Sequence, residues 1–316
     1  MRFRRLPFSD RGLRLLAAGA AGVGYALAAK LLIEHGIQDA GGLGGIDAIA
    51  YWRAAGSAWS GESLYQAPSF VYAAYQYPPP FAQLLAPFSL LPMPAFVWAW
   101  RAIELVCLRV AVGSWLRGGI ALLVWPPVIA ELDAGNVHLV MAAVAALTMR
   151  EAAGLVGPAF LLKFASWPLA LIAAMRDRQR ATIGLAIALG VVAVSVTLTP
   201  EAWREYAGFL GSTRAPEGWY NILSGVPILV RFTVAGCLGI AAVRFVRLAP
   251  FAVLLAYPIV WLHGLSTLVA VATPAPTRAR EPRFDDRGGF DDRGGKSGGN
   301  GIRSNSGLFD DPRSPT

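Results

Sequence analysis

Long apolar segments, separated by short groups of arginines, constrain the fold of this chain more than any other feature. The segment from Leu15 to Ile33 is long enough, at about 1.5 Å per residue in a helix, to cross a bilayer core about 30 Å thick. Of the 316 residues, 55% are hydrophobic and only 15% are charged, which is too apolar for an ordinary soluble domain. The sequence therefore predicts an all-α protein, a polytopic transmembrane helical bundle.

Further apolar segments predict further membrane helices. Two shorter stretches, at residues 120–132 and 137–149, meet at Asp133-Ala134-Gly135-Asn136, which predicts an external turn. Four other segments have about the length that a membrane span needs. They cover residues 95–116, 181–198, 226–246 and 251–272.

The segment between Arg150 and Arg176 departs from this pattern, because both of its ends carry arginines typical of the cytoplasmic side. Prolines interrupt it at Gly157-Pro158 and at Trp167-Pro168. A single crossing cannot place both ends on one side, so we expect two half-helices that enter the membrane and return, with Lys163 near the tip. Broken helices are tolerated at membrane depth where they line a cavity, and they often mark substrate sites.

The distribution of lysine and arginine predicts the orientation of the spans. The external segments before the C-terminal tail hold three such residues, Arg53, Arg204 and Arg214, whereas the cytoplasmic segments hold 12. Because positive charge accumulates on the cytoplasmic side, we expect a multi-pass protein of the plasma (inner) membrane with a cytoplasmic N-terminus. The 12 are at positions 2, 4, 5, 11, 14, 117, 150, 176, 178, 180, 244 and 247.

The net charge of +8 could suggest a nucleic-acid partner. Apolar runs separate most of the arginines, however, so no continuous basic face is available to follow a phosphate backbone. We therefore expect no nucleic acid among the partners, and we expect membrane lipids to surround the chain.

The residues after Thr273 have a different composition. They are rich in Pro, Gly, Ser, Arg and Asp, and the sequence Phe-Asp-Asp-Arg-Gly-Gly at 284–289 is repeated at 290–295. Such a segment cannot form a hydrophobic core. We expect a membrane domain over residues 1–273, with an external loop over 34–80, and a disordered tail over 274–316.

Four polar sites converge on the external side in this topology, and ionisable groups at a membrane are costly to keep without a function. On position alone, Asp47 would more often be the N-cap of a helix that starts there, and His138 a packed histidine. Lys163 has no adjacent acid in sequence, and a cation at the tip of a cavity can hold a phosphate. The four sites are Asp47, the turn from Gly135 to His138, Lys163 and His263.

At these positions the sequence resembles glycosyltransferase family 87, integral membrane enzymes that include polyprenyl-phosphate-mannose-dependent α-1,2-mannosyltransferases. The resemblance covers about residues 47–272. The order of the matching residues, and their placement relative to the predicted spans, is more specific than any single match. The matching residues are Asp47 with Tyr51, Tyr75-Gln76-Tyr77-Pro78-Pro79, Gly135-Asn136, Lys163 with Trp167-Pro168, Asn221 with Ser224, and Trp261 with His263.

The resemblance implies a GT-C-type fold and an inverting transfer of a sugar, mannose above all, from a polyprenyl-phosphate-linked donor to a glycolipid or polysaccharide acceptor of the cell envelope. It implies Asp47 as the base. The departing phosphate then needs cations or donors to stabilise it, a role for Lys163, for His263, which we expect to be catalytic, or for an external arginine. No Asp-x-Asp motif lies in an external loop before the tail, so we expect no metal and no cofactor. The expected substrate-binding residues are Tyr51, Tyr77, Asn136, His138, Lys163, Asn221 and Trp261.

Two alternatives stay open. Re-entrant half-helices and a buried lysine also fit a lipid or sugar transporter or flippase, although the chain shows no internal repeat symmetry. The resemblance also suggests that family members continue with further spans after the Trp-x-His stretch. This chain instead changes composition after Thr273, so the second alternative is an inactive, C-terminally truncated relative.

Overall fold

The computed structural model describes residues 10–38, 44–65, 74–150, 152–212 and 221–273, and every regular element in these ranges is a helix. The predicted all-α fold class is thus confirmed. The predicted tail and the arginines at positions 2, 4, 5 and 214 lie outside the described residues. The α-helices are α1 (Asp10–Gln38), α2 (Ile46–Ser60), α3 (Pro79–Leu85), α4 (Met93–Val112), α5 (Trp115–Val124), α6 (Pro126–Ala134), α7 (His138–Met149), α8 (Val156–Leu162), α9 (Trp167–Arg176), α10 (Arg178–Leu198), α11 (Pro200–Ser212), α12 (Ile228–Ala242) and α13 (Ala249–Ala256). Short 3-10 helices cover Ala86–Leu90, Ala153–Leu155, Phe164–Ser166, Val246–Leu248 and His263–Ala272.

Two of the described helices are each long and apolar enough to cross a membrane, α1 over Asp10–Glu34 and α10 over Arg178–Leu198. They contain the predicted spans 15–33 and 181–198. Most of their residues are exposed, so that large apolar side chains such as Leu189 and Leu198 face outward, as contact with lipid requires. The helices α5 and α6 pass the same test only as a pair, and the chain bends by 98° between them.

The helix α7 lies at the centre of the bundle, between α4 and the 3-10 helix that starts at His263. It is apolar on all sides, and side chains such as Leu139 and Met141 are completely buried, as expected for a helix without a polar face. His138, the first residue of α7, and Asn136, two residues before it, are also buried and so held in fixed positions.

The chain breaks at Lys163, as the sequence predicts. The helix α8 ends just before it, Lys163 has an extended backbone (φ −156°, ψ 119°), and α9 begins at Trp167 with Pro168 in its first turn, where the missing N–H is tolerated. A Cβ atom added to Gly157 would lie 2.0 Å from the carbonyl oxygen of Gly184. The absence of a side chain thus lets α8 lie directly against α10 and brings Lys163 into the bundle.

The prediction of one span from Phe251 to Ala272 is wrong. The helix α13 ends two residues before Pro258, and the next helical segment is the 3-10 helix that begins at His263. Proline has no N–H and clashes with a preceding helical turn, so it ends the helix. The carbonyls of Tyr257 and Pro258 accept hydrogen bonds from the Arg231 guanidinium at 2.9 and 2.6 Å. This buried arginine satisfies the backbone groups that the break leaves free.

Candidate active site

A cavity of about 380 Å³ lies where six segments of the chain meet: the first turn of α2, residues 74–78, the turn between α6 and α7, the break after α8, α11, and residues 258–263. Six of the nine predicted site residues line this cavity, and Tyr51, His138 and Asn221 do not. The six are Asp47, Tyr77, Asn136, Lys163, Trp261 and His263.

Asp47 contacts the turn at the start of α7 and does not cap its own helix. The N-cap of α2 is Gly45, which has no side chain to cap with and a left-handed backbone (φ 82°), and Asp47 lies within the first helical turn. The capping interpretation is therefore wrong. The Asp47 Oδ2 atom instead accepts a hydrogen bond of 2.6 Å from the Asn136 Nδ2 amide, and the side chain is only partly exposed, at the cavity wall.

Gly135 allows this contact between α2 and the α6–α7 turn. It ends α6 with a left-handed backbone (φ 71°), and a Cβ atom there would lie 2.8 Å from the Cβ of Ala48. Only glycine combines this backbone conformation with this close approach at little cost. Gly135 therefore allows α2 to pack closely against the turn, and Asn136 then donates a hydrogen bond to the carboxylate of Asp47.

Tyr77 and a backbone N–H determine how the Asn136 amide is oriented. Its Oδ1 atom accepts hydrogen bonds from the Tyr77 hydroxyl (2.8 Å) and from the backbone N–H of Val137 (2.7 Å), so its Nδ2 group points to Asp47. The Tyr77 hydroxyl accepts in turn from Tyr51 (2.9 Å), which is completely buried. Tyr51 therefore supports the network from behind the cavity wall.

The pKa of Asp47 is raised from 3.8 to about 6, mainly because burial removes water from the charged carboxylate. The hydrogen bond from Asn136 lowers the pKa, the negative charge of Glu131 raises it, and the positive charge of Lys163 lowers it. A carboxylate with this pKa is still mostly ionised at neutral pH and is more basic than a free aspartate, which suits a general base.

Lys163 also lines the cavity, from the break after α8, and is supported by His138. Its Nζ atom lies 3.1 Å from His138 Nε2, and the ammonium lies 4.7 Å from the centre of the Tyr257 ring and 5.6 Å from that of Tyr77. The other ring nitrogen of His138, Nδ1, lies 2.9 Å from Glu131 Oε2. His138 and Glu131 are both buried, so this row of side chains joins the cavity to the interior of the bundle.

Trp261 and His263 lie on the segment that follows the break at Pro258. Their rings are nearly parallel, with centroids 6.3 Å apart, and the His263 ring lies 5.3 Å from that of His138. The Nε2 atom of His263 is buried and has no hydrogen-bond partner among the described residues. A buried polar atom without a partner at a cavity wall is suited to contact a ligand.

Glu131, His138 and His263 could in principle hold a cation, because each places one possible ligand atom within 4.8 Å of the others. Both ring nitrogens of His138 are already in contact, with Glu131 and with Lys163. The Lys163 ammonium would also repel a metal ion at this position. These contacts and the nearby positive charge disfavour a metal at this position, and the prediction that no metal is needed stays a prediction.

Asn221 holds the 258–263 segment in place from outside the cavity. Its Oδ1 atom accepts from the backbone N–H of Val260 (3.2 Å) and of Leu223 (3.3 Å), while the N–H of Ile222 donates to the Val260 carbonyl (2.9 Å). The side chain is buried. Substrate binding by Asn221 stays a prediction, and in this structure Asn221 supports the backbone next to Trp261.

Aromatic side chains form another part of the wall. Tyr206 and Phe209 of α11 line the cavity together with Phe164, and Tyr65 packs on the Tyr206 and Phe209 rings at centroid distances of 5.5 and 5.4 Å. A pocket with a large apolar surface and a few polar groups is typical of a small-molecule site. The sequence analysis did not assign Phe164, Tyr206 or Phe209 to the site.

Glu131 is a further residue of the site that the sequence prediction missed. It belongs to the apolar stretch 120–132 and contacts His138 across the Gly135-Asn136 turn. The available signal was a carboxylate within an otherwise apolar segment, since such residues are rare in membrane helices and usually have a partner. Its partner could not be identified without the geometry of the turn.

The sequence model of a protein family described as glycosyltransferase family 87 matches residues 75–283, more than half of the chain. The matched range includes Asn136, Lys163 and His263, whereas it begins after α2, so that Asp47 lies outside it. No curated protein and no solved structure gives a significant match to the chain.

Proposed function

The chain belongs to glycosyltransferase family 87, and we propose that it transfers a sugar, mannose in the first instance, from a polyprenyl-phosphate-linked donor to a glycolipid or polysaccharide of the cell envelope. Membership of this family implies a membrane glycosyltransferase. The choice of a donor with a phosphate group is supported by the Lys163 ammonium at the cavity wall.

One observation carries this proposal: Asp47 and Lys163 line the same cavity, each oriented by a different neutral side chain. Asn136 donates to the Asp47 carboxylate at 2.6 Å, and His138 contacts the Lys163 ammonium at 3.1 Å. The described residues show no direct ion pair between Asp47 and Lys163. A base and a cation in the wall of one cavity are the two groups that a transfer from a phosphate leaving group requires.

The reaction proceeds by attack of an acceptor hydroxyl on the anomeric carbon of the donor sugar. Asp47 removes the hydroxyl proton as the new carbon–oxygen bond forms, and its Oδ1 atom, which has no hydrogen-bond partner among the described residues, is available for that proton. The bond from the anomeric carbon to the phosphate oxygen breaks with its electron pair on oxygen. Lys163 and His263 stabilise the departing lipid phosphate, and attack from the opposite face inverts the anomeric configuration.

The transfer takes place on the extracytoplasmic face of the plasma membrane, with the N-terminus in the cytoplasm. This placement is supported by the distribution of lysine and arginine, with 12 residues in the cytoplasmic segments and three in the external ones. The first turn of α2, with Asp47, follows the first span and therefore lies on the outer side.

Membranes that contain the chain, incubated with radiolabelled polyprenyl-phosphate-mannose and candidate acceptor glycolipids, test this function. We expect a labelled product from the wild type, and a rate about 100- to 10,000-fold lower for Asp47→Asn, because that substitution removes the base. Glu62→Gln is a matched control, since Glu62 is exposed just after α2 and should retain the wild-type rate. Full activity of an Asp47→Asn protein that is inserted normally would contradict the assignment of the base.

A flippase is the second candidate, because the breaks at Lys163 and Pro258 are also typical of transporter helices that line a substrate site. Liposomes that contain the purified chain and a labelled polyprenyl-phosphate sugar distinguish the two functions. Transfer of the sugar without movement of the lipid supports the glycosyltransferase. Movement of the lipid to the other leaflet without any transferred sugar supports the flippase.

A further inference from the structure

Among the described residues, Glu131 makes three hydrogen-bond contacts, all with the start of α7. Its Oε1 atom accepts hydrogen bonds from the backbone N–H groups of His138 (2.5 Å) and Leu139 (3.4 Å), and its Oε2 atom lies 2.9 Å from His138 Nδ1. The side chain is completely buried. The N-terminus of a helix carries a partial positive charge and free N–H groups, both of which favour the ionised carboxylate.

The two neighbours of the His138 ring require the same tautomer. An ionised carboxylate can only accept hydrogen bonds, so His138 Nδ1 must carry the proton that points to Glu131. An ammonium can only donate, so His138 Nε2 must be the acceptor for Lys163. Each requirement follows from a different partner, and both are met by a neutral imidazole with its proton on Nδ1.

The remaining contacts of Lys163 leave its charge available to a ligand. The ammonium faces the Tyr257 and Tyr77 rings, which attract a cation through their π-electrons without neutralising it. Among the described residues, no carboxylate lies within ion-pair distance of Lys163. Two of the three N–H donors of the ammonium are not used by His138, and they can bind an anion in the cavity.

We propose that Glu131 is a positioning residue for the donor phosphate: it holds His138 in the Nδ1–H tautomer, and His138 then holds the Lys163 ammonium in the cavity through Nε2. The phosphate in this inference rests on the proposed function. The arrangement of Glu131, His138 and Lys163 does not, because it is a property of the chain without substrate.

The substitution Glu131→Gln distinguishes this role from packing alone. Glutamine has nearly the same volume, and its carbonyl can still accept from the two backbone N–H groups. Its NH₂ group then faces His138 Nδ1 and can only donate, so the ring must move its proton to Nε2. A proton on Nε2 opposes the N–H of Lys163, and the ammonium loses its support.

Nitrogen NMR of the chain in lipid, labelled with ¹⁵N-histidine, tests the tautomer directly. The chain has three histidines, and single His→Gln variants assign their signals. We expect neutral His138 with the proton on Nδ1 in the wild type and on Nε2 in Glu131→Gln.

Glu104→Gln is the control for the NMR measurement and should keep the wild-type tautomer. Glu104 is also completely buried and has no hydrogen-bond partner among the described residues. A wild-type His138 that is protonated on Nε2, or on both nitrogens, overturns the proposal whether or not any variant folds.

Kinetics test the consequence for the donor. In Glu131→Gln we expect the KM for the polyprenyl-phosphate donor to rise roughly tenfold or more, which corresponds to the loss of a hydrogen bond to a charged group, while the KM for the acceptor is unchanged. Glu131→Asp should recover part of the donor affinity, because it keeps an acceptor-only group. An equal rise in the KM for donor and acceptor would indicate a role in folding only and would overturn the proposal.

The NMR and transfer experiments together separate this inference from the proposed function. If the tautomer is as expected but the wild type transfers no sugar, the proposed function fails and the positioning of Lys163 by Glu131 and His138 stands.

Discussion

Two side-chain networks at the cavity wall hold opposite charges, one through a hydrogen-bond donor and the other through an acceptor. On one side, Asn136 donates a hydrogen bond to the Asp47 carboxylate, and two tyrosine hydroxyls complete the network. On the other side, His138 contacts the Lys163 ammonium, and the next group behind it is the Glu131 carboxylate. Asn136 and His138 are only two residues apart in sequence, so a single turn organises both sides.

The difference shows how a base and a cation can share a cavity without neutralising each other. A direct ion pair between Asp47 and Lys163 would stabilise both charges and make the carboxylate a weaker base. A neutral amide or imidazole instead fixes the position of each charged group and leaves its charge available to the reactants. The turn from Gly135 to His138 is therefore the part of the molecule whose change should have the largest effect.

Gly135→Ala should disturb both sides at once. A Cβ atom would lie 2.8 Å from the Cβ of Ala48, at a left-handed backbone position, so the turn must move away from α2. A displacement of about 1 Å in a catalytic group costs roughly a hundredfold in rate, and we expect at least that loss in the radiolabel transfer assay. Gly61→Ala is the control, because Gly61 has a similar backbone (φ 76°) but open space around it. Equal losses for the two variants would mean that backbone strain alone explains the effect.

Asn136→Leu should affect the Asp47 side alone. The loss of a hydrogen bond to a charged group costs about 1.5–3 kcal/mol, which corresponds to a kcat roughly ten- to a hundredfold lower. The KM for the donor should not change, because the His138–Lys163 contact is separate. Steady-state kinetics with varied donor concentration check this split, and a rise in donor KM without a fall in kcat would contradict the division of the cavity into two sides.

The pH dependence of transfer should report on Asp47. Its pKa is about 6 and the base must be ionised, so the rate should fall as the pH decreases through about 6. The hydrogen bond from Asn136 favours the anion and lowers this pKa, so Asn136→Leu should move the acid limb to higher pH, by about one unit for about 1.4 kcal/mol. Profiles of kcat/KM for wild type and variant test the direction of the shift, and a shift to lower pH would be inconsistent with this role of Asn136.

Tyr51→Phe should have the smallest effect. Its hydroxyl supports Tyr77 from a fully buried position and contacts neither Asp47 nor the cavity. The loss of one neutral hydrogen bond costs about 0.5–1.5 kcal/mol, so we expect a kcat about threefold lower with an unchanged donor KM. A loss as large as that of Asn136→Leu would show that Tyr51 acts on the reactants directly.

Several features of the site could be predicted from the sequence because their signals are local. The break at Lys163 follows from prolines on both sides of it within an apolar segment, and the polar positions of the site stand out against apolar surroundings. The N-cap interpretation of Asp47 failed because a local rule considers only the helix that contains the residue. The competing partner, Asn136, is 89 residues away in sequence.

The missed features depend on contacts between distant elements. The 251–272 stretch is apolar throughout and has the length of a span, but the buried Arg231 of α12 satisfies the carbonyls of Tyr257 and Pro258. That contact makes the break tolerable and moves Trp261 and His263 to the cavity. Glu131 was overlooked for a similar reason, since the carboxylate becomes informative only when the turn brings it to His138.

The sequence by itself determined that the chain is helical and apolar enough for a membrane, that it resembles its family, and which polar residues are unusual for their positions. Hydropathy and proline placement act over one or two helical turns, so they can be read without the fold. Only the tertiary structure decided which of those residues line the cavity and which support them from behind. That division depends on distances of about 3 Å between side chains on different helices, and these are set by close packing at positions such as Gly135.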